Sequence, residues 1–94
     1  TDLVVTALGG CILTTIAIVA KNKNIIVNSM SFDGEKHMST GSPRMIAYIP
    51  MNIHLPKELN PEQRTRVEAA AHSCPVHKSL NSEIKVELTF IYDL

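Results

Sequence analysis

The sequence predicts an α+β domain, with a central apolar helix and a second helix packed on a mostly antiparallel sheet. Three observations predict it. Leu3–Ala20 (LVVTALGGCILTTIAIVA) carries no charged residue and is bounded by Asp2 and by Lys21-Asn22-Lys23-Asn24. Arg44–Leu55 and Glu83–Asp93 alternate apolar and polar residues with a period of two, as strands covered on one face do. Between them, Asn60-Pro61-Glu62-Gln63 has the order of a helix start: a capping amide, a proline in the first turn and an acid near the positive end.

Composition narrows the class further. A chain of 94 residues makes one domain, spanning 1–94, with a small core. Its 45% hydrophobic and 19% charged content is that of a folded protein, so disorder is excluded. Nine Lys+Arg balance nine Asp+Glu, and Phe32, Tyr48, Phe90 and Tyr92 are the only aromatics. No basic, stacking surface for nucleic acid follows from that. Two cysteines without short-spaced pairs do not make a disulfide-stapled secreted scaffold, and they point to a cytoplasmic protein.

Taken in order, Leu3–Ala20 is a membrane span or a buried helix. As a helix it reaches roughly 27 Å, short for a bilayer, and its threonines and glycines dilute it. No second span exists and the remainder needs a cover, so a buried helix is expected and no membrane. Cys11, Thr14 or Thr15, and Ile18 share a face of it. Gly9-Gly10 weakens the helix, so it serves either close packing or room for a ligand beside the thiol. Ile25–Phe32 is then expected to be a strand, and Glu35–Pro43 a polar connection turning near Thr40-Gly41-Ser42-Pro43.

In Arg44–Leu55, Met45, Ala47, Ile49, Met51, Ile53 and Leu55 line one face. Pro50 lies on the other and has no N–H, which predicts an edge strand or a bulge there. In the helix after Asn60, Val67, Ala70, Ala71 and Cys74 share the buried face. Pro75 ends that helix near Cys74 and starts a short one, Val76–Leu80. Glu83–Asp93 points Ile84, Val86, Leu88, Phe90 and Tyr92 inward. The first helix is apolar on all sides, so its second face needs a cover from outside this chain segment.

The chemistry-bearing residues are the two cysteines. Cys74 precedes Pro75 at the start of the short helix, where N–H groups and the dipole favour a thiolate. On local chemistry Cys74 is the better nucleophile and Cys11 a core thiol. His72, Cys74 and His77 form H-x-C-x-x-H, which with Cys11 is a conceivable zinc set. The two helix directions and Pro75 oppose that convergence, so no metal and no cofactor are expected. His37 and His54 read as surface residues.

ALGGC (Ala7–Cys11) followed by an apolar helix, then LNPEQRTRVEAAAHSCPVHKSL (Leu59–Leu80), resembles the OsmC/Ohr family of osmotically inducible and organic hydroperoxide resistance proteins, in the style of its general OsmC-like branch. The resemblance runs over essentially the whole chain. It implies an OsmC-like fold assembled as an intertwined homodimer, with the central helices at the middle. It also implies a thiol-dependent hydroperoxide reductase, with Cys11 peroxidatic, Cys74 resolving and an external lipoyl-type dithiol as reductant. In that case the roles are the reverse of those local chemistry suggests. Family members also use an arginine from N-terminal strands and a glutamate shortly before the first cysteine. This chain starts, with Thr rather than Met, about where the glutamate would lie, and Asp2 is only near that position. It is therefore expected to be an N-terminally shortened member with weakened activity. The alternative on the same fold is a non-enzymatic redox-sensing or ligand-binding homodimer.

Overall fold

In the computed structural model, which describes residues 2–42 and 44–94 and the side chains from Leu3 onward, the apolar run forms one helix, α1 (Asp2–Asn22). The expectations for the Asp2 side chain and for Pro43 lie outside the described residues. By length and composition α1 is able to cross a membrane. Here it serves as a core helix on one side: Leu8, Ile12 and Ile16 are fully buried, and Val5 and Ala20 nearly so. These fall at i, i+3/i+4 steps and make a single stripe. The opposite side is bare, with Leu3 81% and Ile18 57% exposed.

α1 stops at its polar flank by a specific device. Asn24 takes a left-handed conformation (φ 57°), and the Ile25 N–H donates back to the Ala20 carbonyl at 2.8 Å. That is a Schellman-type ending, in which asparagine substitutes for the usual glycine. The buried Ile25 then ties the exit of the helix to the core.

The first strand is shorter and later than expected. Residues 25–30 are irregular, and β1 covers Ser31–Gly34, with the two-residue β2 (His37–Met38) inside the stretch expected to be a connection. β3 (Ile46–His54) pairs antiparallel with both. The alternation expected for it holds, with Ile49, Met51, Ile53 and, just beyond, Leu55 buried. Of the two alternatives expected from Pro50, an edge strand or an irregularity at that point, the edge strand does not hold. β3 is the central strand, flanked by β1 and β2 on one side and by β4 (Lys85–Ile91) on the other.

Pro50 is accommodated by a gap instead. Glu35 N–H donates to the Pro50 carbonyl at 3.1 Å, but Pro50 has no N–H to return. The ladder breaks there, and residues 35 and 36 divide what would be one strand into β1 and β2.

β4 runs parallel to β3, whereas β1 and β2 are antiparallel to it, so the sheet is mostly antiparallel. A parallel pair needs a long crossover, and α2 (Pro61–His72) and α3 (Pro75–Ser79) supply it. α2 begins as its sequence indicates: Asn60 Oδ1 accepts from Gln63 N–H at 2.8 Å, and Gln63 Oε1 accepts from Asn60 N–H at 3.0 Å. This reciprocal box satisfies two otherwise orphan donors. Val67, Ala70 and Ala71 face inward, and α1 packs against both α2 and α3. Tyr92, just past β4, anchors α2 from the sheet. Its hydroxyl donates to Glu68 at 2.5 Å, and the Arg64 guanidinium lies 4.1 Å from its ring centre.

Candidate functional site

Cys11 reaches the site from the flank of α1, next to the buried stripe rather than within it, and is half-buried. The face shared by Cys11, Thr15 and Ile18 is therefore the rim of the core, and Ile18 is exposed. The local turn is reinforced by hydroxyls: Thr14 donates to the Gly10 carbonyl and Thr15 to the Cys11 carbonyl, each at 2.8 Å. Such back-bonding satisfies the hydroxyls without any other partner.

Cys74 arrives from the corner between α2 and α3. Pro75 disfavours helical geometry in the residue before it, and Cys74 accordingly has φ −56° and ψ 126°. Ser73 closes α2, its N–H and hydroxyl both donating to the Ala70 carbonyl, at 3.0 and 2.8 Å. Cys74 occupies the capping position of α3, and its side chain is fully buried. Because α1 packs on α3, the corner delivers this thiol to Cys11, far away in sequence.

The two thiols differ in acidity. The neighbouring Cys74 thiol does most to hold Cys11 below the usual thiol range. The backbone N–H of Val76 adds to that, burial opposes it, and the Thr15 hydroxyl contributes last. Cys74 moves the other way. Burial raises it most, the neighbouring Cys11 adds to the rise, and the N–H groups of His77 and Val76 only partly compensate. The expectation that Cys74 is the better thiolate is thus corrected. Its N–H donors are present, but desolvation and the neighbouring sulfur outweigh them.

The histidines do not converge on the thiols. The His72 ring meets Phe90 edge-on, with centroids 5.9 Å apart. His77 Nδ1 is buried without a hydrogen-bond partner, and burial lowers the pKa of the ring. Among the described residues no group of three or more His, Cys, Asp or Glu side chains is placed to hold a metal ion. Gly9 is explained by Phe32: a Cβ at this position would lie 2.2 Å from the ring, so Gly9 makes room for an aromatic side chain. It points about 200° around the helix from Cys11. Gly10 has open space where its Cβ would be.

Two surface hollows, of about 280 and 290 Å³, lie at the far end of α1 around Lys23, Asn24 and Gln63. That end is roughly 18 Å along the helix from Cys11. The sequence reading placed helix N–H groups beside Cys74 but missed that the amide of Val76 also acts on Cys11. It also missed a cluster on the outer face of the sheet. There His54 bonds Asp33 through Nε2 at 2.9 Å and Asp93 through Nδ1 at 3.1 Å, and Asn52 donates to Asp33 at 2.8 Å.

A central helix carrying one cysteine, packed on a corner that carries a second, in an α+β fold defines a class of domain, and sequence comparison says which. The chain belongs to the OsmC-like protein family, whose model matches residues 1–89. Among solved structures it is similar to a Psychrobacter arcticus 273-4 protein described as an osmotic stress induced and detoxification response protein. That match has a TM-score of 0.87 and 29% identity, covering 96% of this chain and 65% of the other. The organic hydroperoxide resistance protein OsmC of Legionella pneumophila has the same fold, with TM-score 0.81, 19% identity and coverage of 96% and 66%. So does the organic hydroperoxide resistance protein OhrB of Bacillus subtilis, with TM-score 0.76, 22% identity and coverage of 94% and 66%. The chain thus spans about two thirds of the length of these structures. No curated protein matches it in sequence.

Proposed function

We propose that this chain is the thiol-bearing part of a hydroperoxide reductase in which Cys11 is peroxidatic and Cys74 resolving. The observation that carries the reading is the unequal thiol pair: a half-buried Cys11 whose acidity is raised by its neighbours, beside a fully buried Cys74 whose acidity burial lowers. The family supports it, since relatives of the same fold are named for organic hydroperoxide resistance.

In this reading the Cys11 thiolate attacks one oxygen of the hydroperoxide. An S–O bond forms, the O–O bond breaks, and the departing alkoxide takes a proton to become an alcohol. The Cys74 sulfur then displaces the oxygen from Cys11 as water, leaving a Cys11–Cys74 disulfide. An external dithiol, lipoyl-type by family analogy, reduces that bond by exchange and is itself oxidised. The bare side of α1, with Leu3 and Ile18 exposed, supports a homodimer in which a second copy covers it.

The test is consumption of an organic hydroperoxide by the protein with a dithiol reductant in excess. Cys11→Ser should abolish turnover, and turnover retained in that variant would sink the reading. A non-enzymatic redox sensor on the same fold would instead form the disulfide once and not cycle.

A further inference from the structure

His54 stands at the end of β3 on the outer face of the sheet, with a chain segment on either side of it. On the β1 side its Nε2 lies 2.9 Å from Asp33 Oδ2. On the β4 side its Nδ1 lies 3.1 and 3.2 Å from the two carboxylate oxygens of Asp93. A carboxylate only accepts hydrogen bonds, so both ring nitrogens must carry a hydrogen for both contacts to be bonds. Neutral imidazole has one N–H and imidazolium has two, so the arrangement is that of the cation. Asp33 is itself held below the usual carboxylate range, chiefly by His54, which keeps the proton on the ring. Asp33 and Asp93 are the charged groups that act on His54. Its other neighbours on this face, Ser31 of β1, Asn52 of β3, and Thr89 and Ile91 of β4, are uncharged. Further along the sheet Glu35 pairs with His37, and Glu87 accepts from Tyr48, whose ring lies 5.7 Å from Lys85 Nζ.

We infer that His54 is a pH-operated clasp: charged, it ties β1 to the segment after β4 across the end of β3, and on losing a proton to solvent it keeps Asp33 and releases Asp93. Two observations choose the side. Asn52 donates to Asp33 Oδ1 at 2.8 Å, which fixes that carboxylate with Oδ2 toward Nε2. Asp33 also lies in a paired strand, opposite Asn52, whereas Asp93 follows the end of β4. The one remaining hydrogen therefore stays on Nε2. Nδ1 then turns a lone pair to the Asp93 carboxylate, and attraction becomes repulsion. The released residue sits between two anchors. Leu94 N–H donates to the Leu55 carbonyl at 3.0 Å, and Tyr92 holds α2 through Glu68 and Arg64. The clasp thus secures the segment that anchors the helix leading to Cys74. Both carboxylates raise the His54 pKa, so the clasp is closed below the ordinary histidine value and opens as pH rises through the higher one.

Nitrogen-15 NMR of the His54 ring, titrated on the wild-type protein, reads charge and tautomer together. Both nitrogens are expected to be protonated in acid, with a midpoint above about 6.5. Above that midpoint the hydrogen should remain on Nε2 and leave Nδ1 bare. A midpoint at or below about 6.5, or a neutral ring protonated on Nδ1, overturns the inference. The release is read in the same samples from the backbone order parameter of Asp93. It is expected to fall from the rigid range, about 0.85, toward the flexible range, below about 0.6, as His54 loses its charge. An order parameter that does not change across the midpoint overturns the inference. In Asp93→Ala it should be low on both sides of the midpoint, and a fall as large as that of the wild type would show that the bond to His54 is not what holds the segment. In Asp33→Ala the neutral ring should move its hydrogen to Nδ1, toward Asp93. An Nε2–H tautomer retained there would show that Asp33 does not choose the side, and the inference would fall.

Discussion

Gly9→Ala is the sharpest test of how the central helix is packed. The perturbation adds one methyl group to a buried helical position. In an open helix this substitution stabilises by up to about 1 kcal/mol, because glycine loses more backbone entropy than alanine. Here the new Cβ would lie 2.2 Å from Phe32 Cε2 and 2.4 Å from Cδ2 and Cζ, where ordinary contact begins near 3.4 Å. The ring must retreat by more than an ångström. Phe32 is held on β1, paired opposite Ile53, so the retreat moves the strand or forces a strained rotamer. Overpacking of this kind costs about 1–3 kcal/mol. The overlap of more than an ångström puts the cost at the upper end, so against the helix gain the expected net loss is about 2 kcal/mol, at about 4–8 °C in Tm per kcal/mol for a domain of this size. Urea denaturation of the wild type, Gly9→Ala, Phe32→Leu and the double variant reads the coupling directly. Relief of the penalty in the Phe32→Leu background is expected. A Gly9→Ala protein as stable as the wild type, or more so, would refute the packing argument.

Two further predictions concern stability. The Asp33 and Asp93 carboxylates beside His54 raise its pKa, Asp33 contributing most. A raised histidine contributes stability fully below its unfolded pKa of about 6.5 and loses it as pH rises through the higher folded value. The urea midpoint should therefore fall as pH rises above about 6.5, and His54→Gln should flatten that slope; an unchanged slope would show that the cluster is not responsible. Asn60→Ala removes the acceptor of the capping box and should lower stability by about 1 kcal/mol, seen as a lower Tm with the fold retained by circular dichroism.

Much of the architecture was legible because it is local. The start of α2 is written in Asn60, Pro61 and Gln63, whose side chains act on amides within a few residues of themselves. The inward face of β3 follows from strand geometry alone, since alternate side chains must point to opposite sides. The Cys-Pro order set the corner between α2 and α3, because proline constrains the residue before it wherever the chain goes. The pairing of Cys11 with Cys74 was reached through a family resemblance and not through any local rule.

The tertiary structure decided the rest, in each case because the answer depends on a neighbour distant in sequence. Pro50 reads as a sign of an edge strand or a bulge until the gap opposite it is seen; its missing N–H is tolerated in the central strand because β1 and β2 break there. Gly9 could have made room for a ligand, and only the position of Phe32 shows what fills the space. The acidity of the cysteines reversed for the same reason. The sequence by itself determined that Cys74 would meet helix N–H groups, and it does. Only the fold determined that this thiol is fully buried beside Cys11, and desolvation with that neighbour outweighs two amides.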